Sequence, residues 1–343
     1  MTVSDLRGTA QALVADGKGI LAADETPSTL TRRFDAHKIE STADSRRAYR
    51  ELFFTTPGIN ALISGVIMQD ETIHQTASNG TPMAEVLSQQ DIIPGIKVDT
   101  GTHRLAGSAR EYITGGLDGL DSRLKQYWAL GARFAKWRAV FAVTDTLPSD
   151  ACIHANTHAL ARYAAICQQH EIVPIVEPEV LIDGSHTIDR CEDVTGRVLH
   201  ELFAALYDQN VALDGILLKP GMVIAGKQCL RQASVTEVAI ATVRCLRRHV
   251  PPAVPGIVFL SGGQHYRVAT VHLSAINQAD GPRPWKLTFS YGRALQDEAL
   301  EVWRGRDDRV TGAQLAFYHR AKCDSAAALG RYTTSMESES AVA

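Results

Sequence analysis

Cysteine is absent from the first 151 residues of this 343-residue chain, and the six that follow (Cys152, Cys167, Cys191, Cys229, Cys245 and Cys323) include no C-x-x-C pair. That excludes a disulfide framework and fits idle, reduced thiols in a cytoplasmic protein. Long apolar runs are also missing. None approaches the roughly 18 residues of a membrane span, and Asp5, Arg7 and Asp16 occupy the stretch where a signal peptide carries its apolar core. Nor is one charge in excess: 35 basic residues against 38 acidic ones leave a net charge of -3 and no global field to hold nucleic acid. No internal repeat, low-complexity tract or linker precedes the C-terminus, so nothing forces a domain cut.

What is present is a regular alternation. Short apolar runs bounded by glycine or proline alternate with stretches of helical periodicity, the pattern of repeated βα units around a parallel sheet. The strand candidates are residues 19–23, 63–68, 92–98, 132–138, 172–177, 215–219, 256–260 and 285–289. Between them, residues 234–250 put Val235, Val238, Thr242, Leu246 and Val250 on one stripe. This stretch opens with Ser234 and Glu237 at capping-box spacing and closes with Arg247, Arg248 and His249, which suit the negative end of a helix. Residues 156–170 and 120–128 repeat the pattern. Asp24, Lys97, Lys136, Glu177, Lys219, Ser261 and Ser290 stand where apolar runs end, and from Lys97 to Ser261 they recur about every 40 residues, the length of one βα unit. Eight such units closing on themselves make a barrel with its active site at the C-terminal ends of the strands. The expected architecture is α/β: a single (β/α)8 TIM barrel over residues 1–332 with an extra N-terminal helix, and a flexible tail over residues 333–343.

Lys219 ends an apolar run stopped by Pro220, so barrel wall rather than water surrounds its amine. An amine is a nucleophile only without its proton, and burial and a neighbouring cation both promote that loss. Lys136 is the candidate cation. Alone, Lys219 reads as a strand-end lysine snorkelling to water; counted with the other strand ends, it reads as chemistry. Glu177 and Glu179 are two apart, which on a strand puts both carboxylates on one face about 6.5 to 7 Å apart. Lys136 and Arg138 share a face by the same rule. With Asp24 these groups suit proton transfers at a carbonyl carbon, because mixed charges hold one acid neutral and one amine unprotonated. The bland alternative is a structural ion-pair network.

Ser261, Gly262 and Gly263 follow the seventh strand candidate, and Ser290 and Arg293 the eighth. Glycines let backbone N–H groups converge on an anion, the serines add donors, and arginine grips phosphate bidentately. Loops after strands seven and eight are the usual phosphate site of this barrel. Lys97, the hydroxyls of Thr26, Ser28 and Thr29, and the pair Arg32 and Arg33 offer a second anion site. Two phosphates flanking an amine-bearing centre imply a bisphosphorylated sugar. His154 and His158 sit i, i+4 but lack the intervening glutamate and a third ligand of a zinc site, so they read as an exposed helix face and no metal or other cofactor is expected.

Seven segments in order, residues 17–25 (GKGILAADE), 95–99 (GIKVD), 134–138 (FAKWR), 174–179 (PIVEPE), 217–222 (LLKPGM), 259–264 (FLSGGQ) and 287–296 (LTFSYGRALQ), resemble a class I fructose-bisphosphate aldolase over essentially the whole chain. The resemblance implies that Lys219 forms the Schiff base with the ketose. Glu177 would serve as acid and base for carbinolamine formation and dehydration, Asp24 would handle the C4 hydroxyl proton, and Lys136 and Glu179 would tune that group. It further implies that Ser261, Gly262, Gly263, Ser290 and Arg293 hold the C1 phosphate and that Lys97, Thr26 and Thr29 hold the C6 phosphate. Arg33 and Arg46 fall at basic positions assigned to substrate, and Arg138 joins the substrate-binding set. The implied products are glycerone phosphate and glyceraldehyde 3-phosphate, made in glycolysis and gluconeogenesis by a cytoplasmic homo-oligomer, a tetramer by family analogy. An iminium accepts the electron pair left on C3 far better than a neutral ketone, so the lysine takes the place of a metal.

Two departures stand out. Pro27 stiffens the loop that carries Thr26 and Thr29, where the family more often has serine and glycine. The sequence ends at Ala343 without the terminal tyrosine that reaches the active site in animal members, so slower proton exchange at C3, or service by another group or water, is expected. The alternatives are a Schiff-base aldolase for another phosphosugar and a non-catalytic anion-binding protein on the same scaffold.

Overall fold

A computed structural model describes residues 3–338 of the chain. Eight parallel strands close into a barrel: β1 (Gly19–Ala23), β2 (Ile63–Met68), β3 (Ile93–Lys97), β4 (Phe134–Phe141), β5 (Val173–Val180), β6 (Leu217–Leu218), β7 (Gly256–Phe259) and β8 (Lys286–Tyr291). Each pairs with its neighbour in the chain, and β8 closes on β1 with Ile20 opposite Ser290 and Leu21 opposite Tyr291. The strands are apolar on both faces because helices cover them outside and side chains fill them inside, as a parallel sheet requires. The TIM barrel expected from the spacing is the fold.

Inside the barrel, Ile20, Ala22, Ile67, Phe134, Val173, Ile175, Leu217 and Val258 form one small cluster. The N-terminal helix Val3–Leu13 closes the lower end of this cluster with Leu6, Ala10, Leu13 and, just beyond it, Val14. Further along the same inward faces the residues turn polar: Ile20 and Ala22 lead to Asp24, Phe134 to Lys136 and Arg138, Ile175 to Glu177 and Glu179, and Leu217 to Lys219. Period-two alternation thus gives each strand an oily lower half and a charged upper half on one face.

Several boundaries differ from the sequence reading. β4 runs on to Phe141 and β5 to Val180, so Lys136 and Glu177 lie within strands rather than at their ends; the outward-facing Trp137, Ala139, Phe141 and Val176 are apolar and buried, and pairing continues past the inward charges. The helix expected from residue 156 begins at Asp150, where the Ser149 side chain accepts the Cys152 N–H. The helix Val235–His249 has the anticipated capping box, Ser234 and Glu237 each receiving the other's backbone N–H. A two-stranded ribbon, Thr102–Arg104 with Tyr112–Thr114, follows β3 without a period-two signal strong enough to announce it.

The first residues of the expected tail have a seat on the barrel. Thr334–Ser338 form a 3-10 turn seated on the C-terminal helix Val310–Ala328, where Arg320 donates to both Glu337 oxygens at 2.7 and 2.9 Å and His319 Nε2 lies 2.8 Å from the Met336 carbonyl oxygen. Composition alone cannot show that a buried arginine waits for the Glu337 carboxylate. Residues 339–343 lie outside the described residues.

Candidate active site

At the upper mouth of the barrel a cavity of about 370 Å³ is lined by Asp24, Lys97, Lys136, Glu177, Glu179 and Lys219, together with Ser261, Ser290, Arg293, Thr26, Thr29 and Arg33. Larger hollows lie in the outer helical layer, among them one of about 740 Å³ between the helices Asp150–Gln169, Ile188–Asp208 and Val235–His249, but that one gathers helix-surface side chains and no strand end. The mouth cavity brings together polar side chains from most of the strands, which is where the βα architecture puts chemistry.

Glu177 sits at the centre and spans two amines: Lys219 Nζ is 3.5 Å from its Oε1 and Lys136 Nζ 3.4 Å from its Oε2. All three side chains are buried. Lys136 also contacts Asp24 Oδ2 at 2.6 Å and lies 3.8 Å from Asp99 Oδ2. Burial pushes the Lys136 ammonium toward neutrality, but Asp24, Glu177 and Asp99 outweigh it and hold the proton on well above the usual lysine range. Burial likewise works against an ionised Asp24, and Lys136, Lys219 and Lys97 override it, holding that carboxyl well below the ordinary range. In the resting site Asp24 is thus an anion and Lys136 a cation. Glu177 Oε2 and Ser290 Oγ are buried without a hydrogen-bond partner, two polar atoms available to whatever fills the cavity.

Glu179 is occupied differently from the expectation. It pairs with Arg138 Nε, not with the lysines. The pair sits toward the rim, one period-two step above Glu177 and Lys136, and Glu179 keeps the Arg138 guanidinium charged against its burial.

One flank of the cavity is built for an anion. Gly262 and Gly263 adopt φ of +61° and +84°, a left-handed turn that L side chains rarely enter and that faces successive N–H groups one way. A Cβ on Gly263 would stand 3.4 Å from Arg293 Nη2, so the loop and the arginine converge. Gly263 itself is behind the lining. Beyond β1, Thr26 caps the helix Pro27–Ala36 by accepting the Thr29 N–H, with Pro27 at the first helical position, so the proline that departs from the family pattern is well placed for a helix start. At the end of β3, Lys97 Nζ bonds Asp99 through its backbone oxygen and Oδ1, each at 2.6 Å.

Two basic residues are more engaged than the sequence reading supposed. Arg33 lines the cavity, but its guanidinium is held by Glu25, Gln296, Tyr49 and Asp297. Arg46 is outside the lining altogether, in a two-pronged pair with Glu71. Spacing shows a basic residue and cannot show its partner. His154 pairs with Glu201 on the outer layer, and among the described residues no group of three or more His, Cys, Asp or Glu side chains is arranged to hold a metal ion. No helix among them is long and apolar enough to cross a membrane.

Fold and site together define a barrel lyase, built to make and break a carbon–carbon bond beside a carbonyl. The whole chain specifies it further, because the class-I fructose-bisphosphate aldolase family model matches residues 5–343. The chain is 53% identical over 333 residues to the probable fructose-bisphosphate aldolase class 1 of Xanthomonas axonopodis pv. citri, covering 97% of this chain and 99% of that one. It is 52% identical over 316 residues to the cytosolic fructose-bisphosphate aldolase 4 of Arabidopsis thaliana, covering 92% and 80%. The structure superposes with a TM-score of 0.95 and 49% identity on Plasmodium falciparum fructose-bisphosphate aldolase, solved in a ternary complex with TRAP and a small-molecule inhibitor, over 96% of this chain and 95% of that one. The chain belongs to the class I fructose-bisphosphate aldolase family, and its reaction is the aldol cleavage of fructose 1,6-bisphosphate in glycolysis.

Proposed function

We propose that Lys219 is the Schiff-base lysine of this reaction and that Glu177, Asp24 and Lys136 move or hold its protons. The observation that supports this most is the single carboxylate of Glu177 spanning the Lys219 and Lys136 amines inside a cavity that Ser261, Ser290, Arg293, Lys97, Thr26 and Thr29 also line. The Lys219 amine attacks C2 of the ketose; Glu177 delivers a proton to the departing hydroxyl, water leaves, and an iminium remains. Asp24 takes the C4 hydroxyl proton, the C3–C4 bond breaks, and glyceraldehyde 3-phosphate departs while the electron pair moves through C3 into the iminium as an enamine. Protonation of C3 and hydrolysis of the iminium release glycerone phosphate and return Lys219. Lys136 stays charged throughout and holds the Asp24 and Glu177 carboxylates at fixed distances, a preorganised field rather than a reactant.

Ser261, Gly262, Gly263, Ser290 and Arg293 take the C1 phosphate in this reading, and Lys97, Thr26 and Thr29 the C6 phosphate, with Arg138 and Glu179 at the rim. Arg33 and its four partners shape the second cradle. The reaction also runs toward condensation in gluconeogenesis, in a cytoplasmic homotetramer whose assembly sedimentation velocity tests. Sodium borohydride added with fructose 1,6-bisphosphate, followed by peptide mass spectrometry, is expected to leave a reduced sugar adduct on Lys219. Activity abolished by EDTA with no adduct on any lysine would overturn the assignment.

A further inference from the structure

Asp99 takes no part in the proposed cycle, yet it is buried, and its carboxylate joins the lysine assigned to the second phosphate to the lysine of the reacting centre. Oδ1 accepts from Lys97 Nζ at 2.6 Å and from the Gly101 N–H at 3.2 Å; Oδ2 accepts from the Arg138 N–H at 3.3 Å and faces Lys136 Nζ at 3.8 Å. All four partners are donors. A carboxylate satisfies them all, whereas an amide turns an NH₂ toward one pair in either orientation and leaves two donors facing a donor. Lys97 and Lys136 are also opposite each other in the β3–β4 register, so a group placed two residues beyond Lys97 reaches both.

We propose that Asp99 is a positioning residue that holds Lys97 in place for the second phosphate while lending its charge to the Lys136 centre. This rests on the reading that places the C6 phosphate at Lys97. Without the carboxylate, Lys97 keeps only its bond to the Asp99 backbone oxygen at 2.6 Å; the long side chain regains part of its rotamer freedom and must be ordered again on each binding event, a cost that falls on substrates carrying a second phosphate. The weaker field at Lys136 acts on the chemical step and is common to all substrates.

The test compares fructose 1,6-bisphosphate with fructose 1-phosphate, which lacks the second phosphate, in Asp99→Asn, Lys97→Met and the double variant. In Asp99→Asn, KM for the bisphosphate is expected to rise about tenfold and KM for the monophosphate less than about twofold, kcat falling by a similar factor for both. Since Asp99 acts on binding through Lys97, the double variant should match the Lys97→Met KM for the bisphosphate within about twofold. Equal KM rises for the two sugars, or effects that multiply in the double variant, would overturn the role. Asp99→Ser, in which water takes the place of the removed oxygens, carries the same expectations if the asparagine variant is insoluble. Borohydride trapping on the unsubstituted enzyme separates the two levels: an adduct on Lys219 without the KM split removes only Asp99, and no adduct removes the reading beneath it.

Discussion

Lys136 touches more of the centre than any other side chain described, with Asp24, Glu177 and Asp99 all within 4 Å of its nitrogen. Three carboxylates at such range repel one another strongly unless a cation lies between them, so the site depends on this lysine even though it forms no bond to substrate in the proposed cycle. Lys136→Met removes the charge that holds the Asp24 carboxyl low and leaves burial to raise it. The expected result is a kcat lower by roughly 10² to 10⁴ and an acid limb of the kcat/KM–pH profile moved up toward neutrality. A profile measured from pH 5 to 9 with the limb unmoved would show that Asp24 does not take its ionisation from Lys136. Most of this centre was legible in the sequence, because polar residues ending apolar runs at βα spacing can hardly be anything but a barrel mouth. Asp99 gives a weaker signal, since only the period-two rule that pairs Glu177 with Glu179 ties it to Lys97. Arg46 shows the opposite limit, because a positive charge reads the same in sequence whether it faces a ligand or, as here, Glu71.

At the scale of strands and helices, the barrel is shaped by where bulk is omitted. Gly95 on β3 lies against the Phe134 ring, which fills the barrel interior beside it, and a Cβ there would overlap the ring; Gly65 on β2 stands likewise against Leu13. Gly95→Ala should therefore cost about 1 to 3 kcal/mol or more by overpacking, since Phe134 has the close-packed interior on every side, whereas Gly95→Ala combined with Phe134→Leu should regain part of the loss. Chemical denaturation midpoints of the two variants check this, and a stable Gly95→Ala would mean that the interior has room to give. Strand existence was readable from apolar runs because a parallel strand is buried on both faces. Strand ends were not, because β4 and β5 stay apolar on their outward faces past the first inward charge, and β6 keeps only Leu217 and Leu218 in the ladder after the turn at Leu213–Gly215. The start of the helix at Asp150 lies in a stretch whose amphipathic stripe is weak, so its Ser149 cap is a better marker than its periodicity.

On the scale of the whole molecule, both ends of the described chain are tied to the barrel. The N-terminal helix plugs its lower end, and the turn Thr334–Ser338 docks beside the start of the helix Tyr266–Gln278, the helix that follows the Ser261–Gly263 loop. That second contact is electrostatic. The fully buried Arg320 guanidinium pairs with Glu337, Tyr332 donates to the same carboxylate at 2.9 Å, and Arg267 reaches it at 3.3 Å. Asp324, one helical turn beyond Arg320, accepts from Thr270 Oγ1, but its Oδ2 has no hydrogen-bond partner and stands 4.0 Å from Arg320 Nε. Burial raises the Asp324 carboxyl to about 7 despite the nearby arginine, since Glu337 already balances that charge.

The native protein therefore keeps the Asp324 proton up to about pH 7, whereas the unfolded chain releases it near the ordinary aspartate value of 3.8. Stability from this group is fully present below about pH 4 and is lost as the pH rises toward 7. Asp324→Asn keeps the side chain neutral at every pH and still accepts from Thr270. Relative to the parent, the variant should gain stability between pH 4.5 and 8, by on the order of 2 to 4 kcal/mol for a shift of this size. Urea midpoints of both proteins at the two pH values measure the gain directly. A difference between them that does not change with pH would mean that Asp324 carries its charge throughout, and that Arg320 is shared by two carboxylates instead of being balanced by the one at the end of the chain.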